Sequence, residues 1–412
     1  MKARAIVVGE RVGNRRVRDR ALQDRRGVAR SAALAHVSSP AKRIPAFDHL
    51  RVFVIALVIL QHTAMAYCTG GQPATGGDFA SGSAPVVDTA GAWVGFNLMV
   101  SWTNGFFMPL MFLLSGLFVR PSLARKGLSR YLDDRALRLG VPLLVGVCTV
   151  IPLAYYAAYL QSGGDIGFVR FWERMVTSSD QWPSGPLWFV AVLLVYDIVL
   201  ALLLTRPAVR RLLRRLDKAL DRRPPAAWFL AFVAVAALSY LPLRRVFGAA
   251  LWATAGPFGV QVCRIGLYFF CFAAGALIGA ERLARAFDRQ WARWPLLAAL
   301  ATVPFFALDG KQPPEAVDGT IMVLFSSAMA LGLLALFLKV GNRRSKVGDS
   351  LGANAYGIYL LHYPIVLWLQ FALLGVAASV VVKGAFVLVA GFLLSWLASD
   401  LLRKVPGVAR AV

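Results

Sequence analysis

Two histidines lie deep inside apolar segments, where few side chains can carry chemistry. His62 ends the stretch FDHLRVFVIALVILQH, and His362 ends YGIYLLH; only four histidines occur in the chain. Burial disfavours the charged imidazolium, so a buried imidazole is expected to be neutral and to keep a nitrogen lone pair. Such a lone pair can remove a proton from a hydroxyl or attack an activated acyl group. A packing role, with the ring bonded to a neighbouring helix, is the alternative.

Arg51 and Asp48 belong to the same apolar segment as His62. His62 follows Arg51 by eleven positions, about three full helical turns, so both side chains share one face about 16 Å apart along the axis. Asp48 precedes Arg51 by three residues, a spacing that permits an ion pair. The face therefore runs from an interfacial cation to a buried imidazole. A simple helix anchor at the interface is the alternative for Asp48 and Arg51.

The element that carries these residues must lie in a membrane. The chain of 412 residues is 58% hydrophobic and 16% charged, far more apolar than soluble domains. The composition predicts an all-α polytopic membrane protein with about ten transmembrane helices. The apolar runs are Val52–Cys68, Ala92–Val119, Leu137–Leu160, Pro186–Thr205, Ala226–Leu243, Pro257–Ala280, Pro295–Leu308, Thr320–Val340, Leu351–Leu374 and Val380–Leu402.

The basic residues predict the orientation of these helices. Most of the 45 Lys and Arg residues precede the first run, fall in alternate connections (119–138, 206–223, 281–294 and 339–350) or follow the last run. Short cytoplasmic connections retain basic residues, so both termini are expected in the cytoplasm. Residues 1–43 are expected to be a basic, largely disordered cytoplasmic tail, 44–404 the membrane domain and 405–412 a second tail. The basic residues behind the net charge of +24 are expected mostly on the cytoplasmic side, next to membrane lipid. This placement argues against nucleic acid as a partner.

The cysteines and glycines predict packing rather than a metal site. The four cysteines form no C-x-x-C pair, and buried free thiols are favoured over a disulfide between Cys68 and Cys263. Gly275 and Gly279 have a spacing that allows two helices to approach closely.

Five motifs, in order, resemble the acyltransferase 3 family of bacterial membrane acyltransferases. They are FDHLR with the R-x10-H spacing, MFLLSGLF, RALRLGVP, LWFVAVLLVYD and YGIYLLH. The match runs from about Arg43 to Lys404, and PLWFVAVLL also looks like the glucan succinyltransferase branch. Met111-Phe112 replaces a frequent pair of phenylalanines, and Gly185-Pro186 stands where the glucan branch often has a histidine.

The resemblance implies an enzyme of the bacterial inner membrane. It would transfer an acyl group, not an amino-acyl group, from cytoplasmic acetyl-CoA or succinyl-CoA to a hydroxyl of an envelope glycan. Acyl-CoA is then a co-substrate, with no permanently bound cofactor and no metal. Arg51 and His62 would be the essential pair. Arg135 and Arg138 match the basic motif before the third helix, and Ser115 matches a serine of the second.

The remaining candidates have structural alternatives. Arg135 and Arg138 have two possible roles at the cytoplasmic interface. Their guanidinium groups can bind the phosphates of coenzyme A, or they can simply anchor the helices. Trp188 can stack on a sugar or belong to the interfacial aromatic belt. Tyr359 can set the tautomer of His362 or pack between helices, and Ser115 more often serves close packing than nucleophilic attack.

A transporter or flippase for a glycolipid or small anion is the competing function. Such proteins commonly have repeated halves with broken helices, and this sequence has no such internal symmetry. A catalytically silent sensor is a third alternative, in which both histidines are dispensable for acyl transfer.

Overall fold

The structure is a computed structural model that describes residues 44–72, 85–177, 184–287, 291–311 and 313–411. The predicted tail, residues 1–43, and the middle of the connection after the first helix lie outside the described residues. The described residues from Pro45 onward form one compact unit.

Helices form nearly all of the described chain, which confirms the all-α class. Helix α4 continues into α5 and α6 through two π-helical segments, Ala136–Gly140 and Gly146–Val150. The helices are α1 Pro45–Met65, α2 Val94–Gly116, α3 Val119–Lys126, α4 Leu128–Arg135, α5 Val141–Val145, α6 Ile151–Gln161, α7 Phe168–Thr177, α8 Trp188–Thr205, α9 Pro207–Arg222, α10 Pro225–Phe247, α11 Ile265–Ile278, α12 Ala280–Phe287, α13 Arg293–Leu308, α14 Glu315–Val340, α15 Lys346–Ala372, α16 Val380–Arg403 and α17 Val408–Ala411.

Seven helices of the described chain are long and apolar enough to cross a membrane. An eighth span is obtained if α11 and α12, which are bent by 81° at their junction, are counted as one. Helix α13 has only 16 residues, and α15 begins with the charged residues Lys346 and Asp349. The count of ten spans and the cytoplasmic position of the termini stay predictions.

Helix α1, which carries the R-x10-H spacing, packs against both α2 and α15. Leu50, Val54 and Ile59 point into this core and are fully buried. Because α1 is one unbroken helix from Pro45 to Met65, Arg51 and His62 keep the fixed angular relation that their spacing predicts.

Helices α2 and α11 approach each other through glycine. A Cβ atom on Gly116 would collide with the carbonyl oxygen of Phe272, and one on Gly275 would collide with the carbonyl oxygen of Leu113. The predicted packing role of Gly275 is thus confirmed. Gly279 differs, because it adopts a φ of +73° with open space around it. It ends α11 rather than packing it.

A short β-hairpin precedes α11. Strands β1 Trp252–Ala255 and β2 Phe258–Gln261 pair antiparallel, followed by a 3₁₀ turn over Val262–Arg264. The sequence-based start of the sixth span at Pro257 is therefore wrong, because the membrane helix begins only at Ile265. The apolar composition of the hairpin made it look like part of the helix.

Candidate functional site

A cavity of about 420 Å³ lies between α1, α2, the start of α8, α11, the middle of α15 and the hairpin. His62 on α1 forms part of its wall, as does the short turn Gly185–Leu187 that precedes α8. A pocket of this size can enclose a small organic ligand. Its polar wall is formed by amide, hydroxyl and imidazole groups of Gln61, His62, Asn104, Ser184, Thr254 and Gln261.

Aromatic rings form the apolar part of the wall of the same cavity. Trp188 stacks on Tyr268 with ring centroids 5.9 Å apart, and Trp252 of the hairpin meets Trp188 edge-on at 5.8 Å. Aromatic faces beside amide and hydroxyl groups suit ligands that have both apolar and polar surfaces. The other aromatic wall residues are Phe107, Phe258 and Tyr359.

The two candidate histidines are in contact. The ring centroids of His62 and His362 lie 5.4 Å apart with an interplanar angle of 38°. His62 is partly exposed and lines the cavity, while His362 is completely buried behind it. The sequence predicted a similar depth for the two imidazoles, and the structure adds that they meet.

The tautomer of His362 follows from the hydrogen bond that its Nδ1 atom makes. Its Nδ1 atom lies 2.6 Å from the carbonyl oxygen of Tyr359. A carbonyl can only accept, so Nδ1 must carry the proton and donate it. The other nitrogen, Nε2, is buried and has no hydrogen-bond partner among the described residues. His362 therefore holds an unused acceptor next to the ring of His62.

Tyr359 contacts His362 through its backbone carbonyl and through its ring, whose centroid lies 5.8 Å from that of the imidazole. Its hydroxyl donates to the carbonyl oxygen of Pro186, which joins α15 to the turn before α8. Its ring also forms part of the cavity wall. A contact between Tyr359 and a substrate stays a prediction.

Two residues outside the sequence-based set hold the end of α1 in place. Gln370 on α15 is buried, and its side-chain amide donates to the carbonyl oxygens of His62 at 2.9 Å and Thr63 at 3.2 Å. Thr103 on α2 donates to Gln61 at 2.9 Å. A glutamine inside an apolar helix is a polar residue that lipid disfavours, and this signal in the sequence points to Gln370.

Arg51 and Asp48 form the predicted ion pair at the other end of α1. Their side chains lie 3.3 Å apart, and the Arg51 side chain is 32% exposed. The Arg51 guanidinium also lies over the ring of Phe118, 4.7 Å from its centroid. The pair is not part of the cavity wall, so the structure separates the cationic end of α1 from the imidazole end.

Arg135 and Arg138 have different surroundings. Arg135 is partly buried, lies 3.8 Å from the carboxylate of Asp197 and packs over Tyr131. Tyr131 donates to the same carboxylate, so the buried Asp197 has two partners. Arg138 is exposed. Neither arginine lines the cavity.

Ser115 uses its hydroxyl within its own helix. The hydroxyl donates to the carbonyl oxygen of Met111 at 2.8 Å, the back-bonding expected of serine in a membrane helix. Ser115 does not line the cavity, and it adjoins Gly116 at the close approach to α11. All four cysteines are free thiols, as the sequence favoured.

A family model described as an acyltransferase domain matches residues 44–400. This range contains every candidate site residue named above. Neither a curated protein nor a solved structure matched the chain.

Proposed function

The chain belongs to the acyltransferase 3 family of membrane acyltransferases, and on this premise we propose that it acylates an envelope carbohydrate. The donor is a cytoplasmic acetyl-CoA or succinyl-CoA, the acceptor is a glycan hydroxyl, and the site is the bacterial inner membrane. The observation that carries the proposal is the contact of His62 with His362 at the wall of an aromatic cavity.

The acceptor fits the composition of the cavity wall. Sugars present apolar ring faces that stack on aromatic side chains, while their hydroxyls need amide or hydroxyl partners. Trp188 and Trp252 offer the first kind of surface, and Gln61 and Asn104 offer the second. The volume of about 420 Å³ suits one sugar ring with its acyl group better than a whole polysaccharide.

His62 is the group that touches the reacting atoms. As a general base it removes the proton of the acceptor hydroxyl, the hydroxyl oxygen attacks the thioester carbonyl, and the C–S bond breaks. The coenzyme A thiolate then takes the proton back from the imidazolium. Alternatively His62 attacks the thioester first and carries the acyl group to the hydroxyl.

Arg51 acts on the donor. A guanidinium forms paired hydrogen bonds with phosphate oxygens, and the salt bridge to Asp48 holds it in one orientation. The long pantetheine arm of the donor then has to cover about 16 Å along α1 to reach His62. The exposed Arg138 is a second cation for the donor phosphates, whereas the contact with Asp197 leaves the guanidinium of Arg135 less free to bind them.

Single-turnover transfer in proteoliposomes tests this assignment. Acetyl-CoA or succinyl-CoA with a radiolabelled acyl group is supplied together with membrane glycans, and acylated product is measured over time. His62→Ala is expected to abolish transfer, and full transfer by this variant would contradict the mechanism. Label bound to the protein without acceptor, lost in His62→Ala, would identify the covalent route.

The donor role of Arg51 is separated by its conservative variant. Arg51→Lys keeps the charge but loses the planar fork, so KM for the donor is expected to rise about tenfold. Arg130→Lys, at an exposed arginine, is the matched control and should behave as the parent enzyme. An unchanged donor KM in Arg51→Lys would remove Arg51 from the donor site.

A further inference from the structure

Arg264 is a buried cation directly behind the wall of the cavity. Its side chain is only slightly exposed, and its Nη1 atom donates to the backbone and side-chain oxygens of Asn104 at 2.9 and 3.2 Å. The same nitrogen lies 3.5 Å from the hydroxyl of Tyr268. Asn104 and Tyr268 both line the cavity, so the guanidinium is one side chain away from a bound ligand.

Among the described residues, no carboxylate partner is recorded for Arg264, unlike the buried Lys383 and the partly buried Arg135 and Arg244. Lys383 pairs with Asp88, Arg135 with Asp197 and Arg244 with Asp318. Within the described ranges, every recorded contact of the Arg264 guanidinium is to a neutral oxygen. Its Nε atom is buried and makes no hydrogen bond in this part of the chain.

The position of Arg264 adds to this imbalance. It is the residue immediately before the first turn of α11, a helix of 14 residues. The N-terminus of a helix carries partial positive charge and favours anions over cations. A buried charge without a counter-ion is also unfavourable in itself. Both effects would be relieved by an anionic group on the cavity side.

Asn104 can present further donors to such a group. Its Oδ1 atom accepts from Arg264, which fixes the amide orientation and turns the two amide hydrogens to other partners. Asn104 is itself exposed in the cavity wall. An anion there would meet a neutral amide donor backed by a guanidinium.

We propose that the cavity contains an anion subsite, formed by Arg264, Asn104 and the first turn of α11, for a carboxylate or phosphate of the reacting pair. The naming of the reacting pair rests on the proposed function. Two ligands supply this chemistry, namely the free carboxylate of a dicarboxylic acyl group and an acidic group on the glycan acceptor.

Thermal unfolding of the full-length protein in detergent tests the subsite without turnover. The probes are succinate against succinamide and glucose 6-phosphate against glucose, at an ionic strength held constant with KCl. At least one anion is expected to raise the unfolding temperature and to bind about tenfold or more tightly than its neutral partner.

Protection by succinate alone assigns the subsite to the acyl group, and protection by glucose 6-phosphate alone assigns it to the acceptor. Protection by both shows that the subsite accepts either anion. Equal protection by the neutral probes, or none by either anion, would overturn the proposal.

Variants of Arg264 connect the response to this side chain. Arg264→Gln should lose the anion response, while Arg264→Lys should keep part of it. Arg244→Gln removes another partly buried arginine, one that pairs with Asp318, and should keep the response in full. A folded Arg264→Gln that still responds to the anions would overturn the proposal. If that variant does not fold, Arg264→Lys and the paired probes on the parent protein decide.

Different experimental results would contradict the anion subsite and the proposed function. His62→Ala is expected to lose acyl transfer yet keep the anion response, because His62 does not contact Arg264 in the recorded hydrogen bonds. An anion response without acyl transfer by the parent protein contradicts the proposed function alone. Transfer without any anion response contradicts the subsite alone.

Discussion

His362 is held so that only one of its ring nitrogens is open to a neighbour. Nδ1 donates to the carbonyl oxygen of Tyr359, so the neutral ring has its lone pair on Nε2. An imidazole in this state can receive a proton from His62, or orient that ring, when the acceptor hydroxyl is deprotonated. Under the proposed function, His362 would therefore be a positioning or proton-relay residue behind His62.

The variant His362→Asn separates these roles from packing. Asparagine can still donate to the Tyr359 carbonyl but has no acceptor in place of Nε2. We expect kcat to fall about a hundredfold while donor KM and thermal stability stay close to those of the parent. Steady-state transfer in proteoliposomes and thermal unfolding measure the two effects.

His49→Asn is the matched control for this experiment. His49 makes the same kind of contact, from Nδ1 to the carbonyl oxygen of Gly341 at 2.6 Å, at the opposite end of α1 from the cavity. It should leave kcat unchanged. Normal turnover by His362→Asn would show that the buried ring has only a packing role.

At the residue scale the sequence predicted charges and spacings better than partners. The ion pair of Asp48 with Arg51 follows from a local spacing, which a helix converts directly into distance. The contact between His62 and His362 depends on how two helices 300 residues apart along the chain pack, and periodicity holds no such information. Gln370 was missed for the same reason, although a buried glutamine is itself a signal.

At the scale of helices, glycine controls the approach of α2 to α11. A methyl group on Gly116 would lie against the backbone of Phe272, which is part of α11 and cannot swing away. Gly116→Ala is expected to lower the free energy of unfolding by about 1–3 kcal/mol, because the helices must separate. Unfolding in detergent measures this change.

Gly375→Ala serves as the control for the helix contact. Gly375 has open space around its position and no positive φ, so stability should change by less than about 0.5 kcal/mol.

Ser115, the residue before Gly116, has a hydroxyl that bonds only Met111 in the recorded contacts. Ser115→Ala should therefore retain acyl transfer. Loss of transfer in Ser115→Ala with normal stability would make Ser115 a functional residue after all.

The amphipathic helix α9 is attached by charge rather than by burial. None of its residues is buried, but Asp217 accepts from Arg120 of α3 at 2.9 Å and from Arg282 of α12 at 3.0 Å. Partial burial alone would raise the pKa of Asp217. The two arginine hydrogen bonds outweigh that effect and hold the pKa below its usual value.

A pH dependence of stability follows from this network. A carboxyl whose pKa is lowered in the folded state stabilises the protein above its ordinary pKa of 3.8, and the gain is lost as pH falls through the lowered value. Asp217→Asn should therefore lower stability by about 1–2 kcal/mol at pH 7, with the partial exposure taken into account. Unfolding of parent and variant at a series of pH values should show the difference shrinking below pH 4.

The control for α9 is the outer carboxylate of the same helix. Asp221 contacts only Arg282 in the recorded ion pairs and is 64% exposed, so Asp221→Asn should have a clearly smaller effect. A stability difference for Asp217→Asn that persists unchanged to pH 3 would contradict the charge-based attachment.

The hairpin before α11 was not predicted from the sequence. Its strands are four residues each, shorter than the window over which apolar periodicity can distinguish strand from helix. The Gly256-Pro257 dipeptide was the available signal, because such pairs mark turns. Without the hairpin, this part of the cavity wall and the position of Trp252 were not predictable.

At the scale of the whole molecule, α1 separates two polar regions. Arg51 and Asp48 lie at one end, and the cavity with His62 lies at the other. The proposed transfer from cytoplasmic acyl-CoA to an envelope glycan needs this separation, because the two substrates would lie on opposite sides of the membrane. The predicted orientation, with Arg51 on the cytoplasmic side, agrees with this arrangement and stays a prediction.

A buried ion pair joins the last long helix, α16, to the connection between α1 and α2. Lys383 of α16 lies 2.7 Å from Asp88 in the connection between α1 and α2, and both side chains are less than 5% exposed. Removing one partner leaves the other charge buried without compensation. Asp88→Asn is therefore expected to destabilise the protein by about 3–5 kcal/mol. The double variant Asp88→Asn with Lys383→Met should recover most of this loss, which unfolding in detergent would show. The exposed pair of Asp400 with Lys404 provides the control, since solvent screens an exposed ion pair and Asp400→Asn should leave stability nearly unchanged. If the double variant were as unstable as the sum of its single changes, the effect of Asp88→Asn would not arise from an orphaned Lys383 charge.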